Sequence, residues 1–209
     1  MTLYIKTNSD GDPIYPYSPS QLRYDFPDTS FPAELPDERL ADWGVFPVLQ
    51  AEPPATGAGQ VAEQVAPDLV DSAWTLQWAV RDRTIEELAA AKLALVEQVK
   101  ARRDQAIEAG CGVDGIGTFD TDAVSRSNIN GAVTGAMIAQ LAEQPFAIGW
   151  KLADNSIVQL NGPQMIAVGV AVLTRVSAAH ANAQALGTAI GAAGDFAALD
   201  AIDIGAGWP

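Results

Sequence analysis

Apolar and polar positions alternate most cleanly over residues 73–80. Trp74, Leu76, Trp78 and Val80 sit two apart, with Ala73, Thr75, Gln77 and Ala79 between them. A period of two puts two indoles and two aliphatics on one face of a β-strand. Thr84-Ile-Glu-Glu87 follows at once and has the form of a capping box. In that motif a hydroxyl and a carboxylate three residues apart each satisfy a backbone N–H at the start of a helix. The helical pattern continues to about Ala109, with Ile85, Leu88, Leu95 and Val99 as its apolar stripe and Lys92 at the skipped position. Such a helix is roughly 39 Å long at 1.5 Å per residue. Its second half, Lys100-Ala-Arg-Arg-Asp-Gln, is polar and is expected at the surface. A stripe this narrow suits pairing with another helix or another copy, or lying across a sheet.

Upstream, the pattern is broken by proline. Residues 1–56 hold 9 of the 13 prolines, which forbids long regular elements there. Leu3, Tyr4 and Ile5 predict a short strand, with Asp10-Gly11 turning after it. Pro36-Asp-Glu-Arg-Leu-Ala-Asp-Trp43 predicts a short helix stopped by Gly44. Val45-Phe46 and Val48-Leu49 flank Pro47, as in an edge strand. Residues 51–60 read as a turn or linker. Tyr15, Tyr17, Tyr24, Phe26, Phe31 and Trp43 are too many aromatics for a simple spacer. They predict an extended segment that docks on another protein, where Tyr and Trp anchors commonly dominate binding.

Downstream of Gly110 the texture turns Gly/Ala-rich. Residues 110–122 predict a tight turn and a short strand, after which Asp122 or Ser125 caps a second helix bearing Ile129, Val133, Met137 and Leu141. Pro145 ends that helix. Residues 146–152 and 157–160 flank Asp154-Asn-Ser, a hairpin signal. Pro163 suits the first turn of a third helix. Its stripe is Met165, Val168, Val172, Val176, Ala179, Ala183, Leu186 and Ile190, and a short helix closes the chain around residues 196–202. The fold class expected is α+β. It comprises a proline-rich arm with short strands (1–80), a long linking helix (81–110) and a small, mainly α domain with a β-hairpin (111–209).

Charge narrows the partners. The formal net charge is −14, with −9 over residues 1–80, 0 over 81–110 and −5 over 111–209. An acidic field of this size opposes binding to nucleic-acid phosphates or anionic lipid. The richest apolar stretch, residues 165–176, is interrupted by Gly169, Thr174 and Arg175, so membrane insertion is not expected. The N-terminus lacks the pattern of a signal peptide, which implies synthesis in the cytoplasm. A single cysteine, Cys111, excludes an internal disulfide.

Catalytic motifs are scarce. Gly110-Cys-Gly112-Val-Asp-Gly115 formally matches the dinucleotide fingerprint, but that chemistry needs a strand before the glycines and a helix after them. Here the order is reversed, and a helix C-terminal glycine followed by a turn is the simpler reading. His180, the only histidine, falls inside a core-packed helical pattern with no serine in a nucleophile-elbow context. Asp114, Asp120 and Asp122 lack the calcium-loop pattern, and capping and turn formation account for them. The chain therefore reads as non-enzymatic, with no catalytic, cofactor-binding or metal-binding residue to name.

Two features resemble proteins of tailed bacteriophages. The arm ending in Trp74, Trp78 and Val80, followed by a Thr/Glu-capped helix rich in Ala, Lys and Arg, is similar to tail-fibre assembly and tail-fibre-associated proteins. Ile116-Gly-Thr-Phe-Asp-Thr-Asp-Ala-Val-Ser-Arg-Ser-Asn-Ile, Trp150-Lys-Leu-Ala-Asp-Asn-Ser-Ile-Val-Gln-Leu and the helix start Gly162-Pro-Gln-Met resemble the DUF4376 domain that recurs in predicted phage tail proteins. The resemblance covers about residues 70–209 and transfers no catalytic residue. It implies a structural component of the virion tail, near fibres or baseplate, whose partners are other tail proteins or further copies of itself, a trimer included. A fibre-assembly chaperone is the alternative. An adhesin using Trp150 or Trp208 on host glycan, or a carboxylate-dependent glycan hydrolase, is a second.

Overall fold

The computed structural model describes residues 3–7 and 12–209, so the turn expected at Asp10-Gly11 lies outside the described residues. It mixes helices with small antiparallel sheets and divides into two compact units, residues 1–83 and 84–209.

The first unit is folded throughout much of the stretch expected to be an extended arm. Strands β1 (Leu3–Lys6), β2 (Ile14–Tyr17) and β3 (Val45–Val48) form an antiparallel sheet in the order β2-β1-β3, which leaves Pro47 on an edge strand as expected. Between β2 and β3 lie α1 (Pro19–Asp25) and α2 (Asp37–Ala41). The Ser18 side chain caps α1 by accepting from the Gln21 N–H, and Pro19 occupies the first turn, where its missing donor costs nothing. Helix α1 departs from the expectation, since proline spacing implies only a barrier to long regular structure.

Strands β4 (Gln60–Val70) and β5 (Ala73–Asp82) then make a long hairpin. Asp71 and Ser72 both have positive φ, the conformation a two-residue turn needs to match the strand twist. The alternation read from the sequence is seen on β5: Leu76 is buried, and Trp74 and Trp78 pack with it against Ile5, Val48, Tyr15 and Phe46. Val80 departs from it and is exposed. Leu49 joins hairpin to sheet, donating from its N–H to the Trp74 carbonyl and accepting from the Leu76 N–H.

The second unit opens with α3 (Ile85–Glu108), whose capping box between Thr84 and Glu87 is formed in both directions. Its buried stripe starts one turn later than expected. Ile85 is exposed, while Leu88, Ala91, Leu95 and Val99 face inward. The polar second half also carries buried Ala106 and Ile107. The hairpin β6 (Cys111–Val113) and β7 (Gly117–Phe119) follows, and then α4 (Ala123–Leu141), capped by Asp122. A second hairpin, β8 (Ala147–Lys151) and β9 (Ile157–Asn161), turns through Asp154, Asn155 and Ser156. It leads into α5 (Gly162–Ala192), and α6 (Phe196–Asp200) closes the unit.

Helix α5 serves two cores in succession. Met165, Val168 and Val172 pack with Phe119, Ile129, Ala136, Leu152 and Leu160, and partly buried Val176 lies against the same group. Further along, Ile190 packs with Val99, Ala193 and Leu199, alongside Ala183 and Leu186. The stripe predicted for α5 thus lies at the core. The α3 stripe packs on the second half of α5, so α3 belongs to this unit along one face while its charged face stays exposed. Arg175 Nε donates to the Ala106 carbonyl at 3.0 Å, placing a cation on one of the otherwise unpaired carbonyls at the end of α3. The α4 stripe differs from expectation. Ile129, Ala132, Val133 and Ala136 face the core, whereas Met137 and Leu141 face outward. At the α4–α5 crossing, a Cβ on Gly169 would lie 2.6 Å from Val133 Cγ2, so small residues decide which face packs. Its Val, Ile, Leu and Ala side chains also give an 18-residue stretch of α5 a mean hydropathy of 1.3, long and apolar enough by length and composition alone to cross a membrane despite the interruptions at Gly169, Thr174 and Arg175.

Candidate functional site

In the first unit, aromatic rings converge around Trp43. Helix α2 sets Leu40 inward and carries Arg39, and the turn that ends the helix at Ala41, short of the expected residue 43, carries Asp42 and Trp43. The Trp43 ring stands 4.9 Å from Phe26 and 5.2 Å from Phe31, both inclined to it in the tilted or edge-on arrangements that aromatic quadrupoles favour. The segment bearing Phe31 is tied to α1 by Arg23, whose guanidinium donates to the carbonyls of Pro32 and Ala33, each at 2.9 Å. The result is a concavity of about 250 Å³ lined by Phe31, Pro32, Leu35 and Trp43, with Arg39, Asp42, Thr29 and Ser30 supplying its polar groups. Arg39 and Asp42 pair across 3.7 Å and both are mostly exposed, so they remain available to a ligand.

Beneath the aromatics lies a charged triad. Tyr17 Oη donates to Asp25 Oδ2 at 2.5 Å, and Lys6 Nζ donates to the same oxygen and to Tyr17 Oη, each at 3.3 Å. The ammonium also sits 4.8 Å from the centre of the Phe26 ring, within cation–π range. The triad ties β1, β2 and α1 together. Burial, then the hydrogen bond to Asp25, pushes the Tyr17 hydroxyl above its ordinary value of 10.0. The Tyr17 hydrogen bond and the Lys6 charge hold the Asp25 carboxyl below 3.8. The signs follow by linkage. Asp25 contributes stability above pH 3.8 that is lost as pH falls through its lowered folded-state value. Tyr17 contributes stability up to pH 10 that is lost as pH rises toward its raised value. Urea denaturation followed by tryptophan fluorescence should show Asp25→Asn flattening the acid limb and Tyr17→Phe flattening the alkaline limb. If neither limb changed, the triad would not carry this coupling.

Of the six aromatics expected to dock a partner, Tyr17 is buried in the core with Leu22, Leu40 and Val45, and Phe26 packs on that core from the side. Tyr15 packs against the other core of the unit, beside Trp74. Phe31 and Trp43 are partly buried and line the pocket. Tyr24 alone is widely exposed, at 85%. The structure therefore brings two of the six together at a concavity. Arg39, Asp42 and Leu35 complete it and were not anticipated. A helix running over residues 36–43, as expected, would place Arg39 and Trp43 four apart on one face; the observed helix ends at Ala41 and the following turn brings the two to the same pocket.

Elsewhere the side chains with chemical potential serve structure. Cys111 is buried, and desolvation raises its thiol. Asp122 accepts from the amides of Val124 and Ser125 while the Ser125 hydroxyl holds its carboxyl below the usual range. Buried Thr121 accepts from the Gly110 N–H at 2.9 Å, closing the end of α3. The glycine-rich run from Gly110 lies in the β6–β7 hairpin after a helix, the reverse of a dinucleotide site. Among the described residues no three His, Cys, Asp or Glu side chains gather as a metal-ligand set. Trp150 is half-buried and stands near Phe119, and half-buried Trp208 donates its indole N–H to the Ile204 carbonyl.

Residues 90–206, more than half of the chain, match the family model described as a domain of unknown function, DUF4376. The chain belongs to the DUF4376 family. No curated protein and no solved structure matches it. The DUF4376 segment starts within α3 and takes in both short hairpins, α4, α5 and α6. The Trp43 pocket lies outside it, in the first unit, so the family assignment does not extend to the site.

Proposed function

We propose that this chain is a non-enzymatic structural component of a phage tail, associated with fibres or baseplate in the virion. In this reading its first unit docks on a neighbouring tail protein through the Trp43 pocket. The pocket itself carries the docking half of the reading. Small-molecule sites typically occupy ~300–1,000 Å³, so a concavity of about 250 Å³ suits one inserted side chain better than a substrate. Its aromatic floor favours an aliphatic or prolyl group. The Arg39–Asp42 rim supplies the polar contacts that fix orientation, the division of labour common at protein interfaces. The tail assignment is supported by the sequence resemblance around Trp74–Val80, Ile116–Ile129 and Trp150–Leu160.

Mass spectrometry of purified particles of the encoding phage tests both halves. Wild type should be present in mature particles, and Trp43→Ala should be folded by circular dichroism yet depleted from them. Wild type found in lysates but absent from particles would replace this reading with that of a fibre-assembly chaperone. Normal incorporation of Trp43→Ala would remove the pocket from it.

A further inference from the structure

We infer that the outer edge of β4 docks an extended, basic segment of another protein, added to the hairpin as a further strand. The hairpin geometry decides which backbone groups are open. Leu49 donates to the Trp74 carbonyl at 2.8 Å and accepts from the Leu76 N–H at 2.9 Å, so Trp74 and Leu76 turn their backbone away from β4. Successive residues of a strand alternate in that direction, which leaves the odd-numbered residues of β5 to bond β4. Arg83, donating to the Gly59 carbonyl at 2.7 Å, keeps the same parity. Through the pairs Val61–Arg81, Glu63–Ala79 and Val65–Gln77, the ladder uses Val61, Glu63 and Val65 of β4. The N–H and C=O groups of Ala62 and Gln64 therefore point outward, and among the described residues no strand pairs with them.

An unpaired edge is a template for another strand, and proteins blunt such edges with short strands, prolines and lysines. The three-stranded sheet does so. Its outer strands, β2 and β3, are each four residues long and carry Pro16 and Pro47. Strand β4 runs for 11 residues and keeps its proline, Pro67, at the bulge between Val65 and Asp68. From Gln60 to Ala66 it has neither proline nor lysine. The one charge in that stretch, Glu63, is held by Arg81, whose Nε donates to it at 2.8 Å. A segment laid along this edge can exchange main-chain bonds with Ala62 and Gln64, which supply affinity, while its alternate side chains supply specificity.

The acidity of the hairpin identifies the occupant. It carries Glu63, Asp68, Asp71 and Asp82 against Arg81 alone. Directly opposite residues share a face, so Glu63 and Asp68, paired with Ala79 and Thr75, lie together on the face away from Trp74 and Trp78. Lys or Arg at alternate positions of an added strand would sit beside them at the ~4.8 Å strand spacing. A second copy would instead bring the same acids to that spacing, in a chain whose net charge is already −14. The inference rests on neither the tail assignment nor the Trp43 pocket.

Fluorescence anisotropy of labelled peptides titrated with the full chain provides the test. The probe is a peptide of about nine residues alternating threonine and lysine, long enough at ~3.3 Å per residue to span the edge. Its counterpart alternates threonine and glutamate. Wild type should bind the basic peptide at least tenfold more tightly at ~50 mM NaCl, with the gap narrowing toward ~500 mM. Charge attraction alone would give that much, so amide hydrogen exchange followed by NMR decides. The Ala62 and Gln64 N–H groups should exchange at least tenfold more slowly with the basic peptide bound. Gln64→Pro removes an outward donor and no ladder bond, so it should abolish binding with the circular dichroism spectrum unchanged. No binding, equal binding of both peptides, binding without protection of those two amides, or binding that survives Gln64→Pro overturns the inference. Slow exchange of the same amides in the chain alone, lost on dilution, overturns it in favour of a second copy.

Discussion

Gly169→Val should destabilise the second unit by about 3 kcal/mol, although it replaces the poorer helix former. Glycine inside a helix costs roughly 1 kcal/mol relative to alanine, so propensity alone predicts a gain. The crossing with α4 reverses that sign. A Cβ at residue 169 would stand 2.6 Å from Val133 Cγ2, closer than side-chain carbons tolerate, and α5 cannot retreat while Val168 and Val172 hold it to the core on either side. Even Gly169→Ala should destabilise. Combining it with Val133→Ala should recover part of the loss, because the two sites touch and their effects are not additive. Urea denaturation followed by circular dichroism at 222 nm measures all three. A stabilised Gly169→Ala would show that Val133 moves aside freely and that the crossing does not depend on glycine.

Phe119→Ala should cost about 3–5 kcal/mol, the range for truncating a fully buried aromatic. Phe119 has no exposed surface, and its ring stands 6.2 Å from that of Trp150 at 45°. It belongs to a three-residue strand paired only to another of three residues, so local structure cannot hold the site once the ring is gone. Around it meet Ile129 and Ala136 of α4, Leu160 of β9, and Met165 and Val168 of α5. The void would open within that core. Thermal denaturation followed by circular dichroism at 222 nm, which the helices of the second unit dominate, should show a much lower midpoint, and Phe119→Leu should lie between the two. An effect below about 1 kcal/mol would mean that the neighbours collapse into the space.

Legibility in the sequence followed how local each determinant was. The β5 alternation, the Thr84–Glu87 box and the α5 stripe lie within single elements, and each was readable. The α4 stripe expected from the sequence runs on to Met137 and Leu141, which are exposed. Size suggested burial there, whereas packing against Gly169 selects Ala132, Val133 and Ala136. Helix α1 had its signal in Ser18-Pro19, a cap followed by a first-turn proline, but the density of prolines around it obscured the pattern. Strand β4 was hidden by Pro67, which is buried where the register shifts between Val65 and Asp68. At the candidate site, Phe31 and Trp43 stood out as aromatics. The Lys6–Tyr17–Asp25 triad did not, because it unites three elements whose pairing no local pattern encodes.

The packing of α3 on the far half of α5 has a consequence for how the chain is made. Lys92 donates to the carbonyl of Gly191, a contact spanning 99 residues, and Val99 meets Ile190. When α3 leaves the ribosome, its eventual partner has not yet been synthesised. At 5–20 residues per second, roughly 80 further residues take about 4–16 s, during which Leu88, Leu95 and Val99 stay uncovered. The hairpins and α4 can gather around Phe119 only as α5 begins to emerge, and α3 is sealed last. The nascent chain therefore passes through an interval in which its longest early helix is open to chaperones, or to the same helix on a neighbouring ribosome.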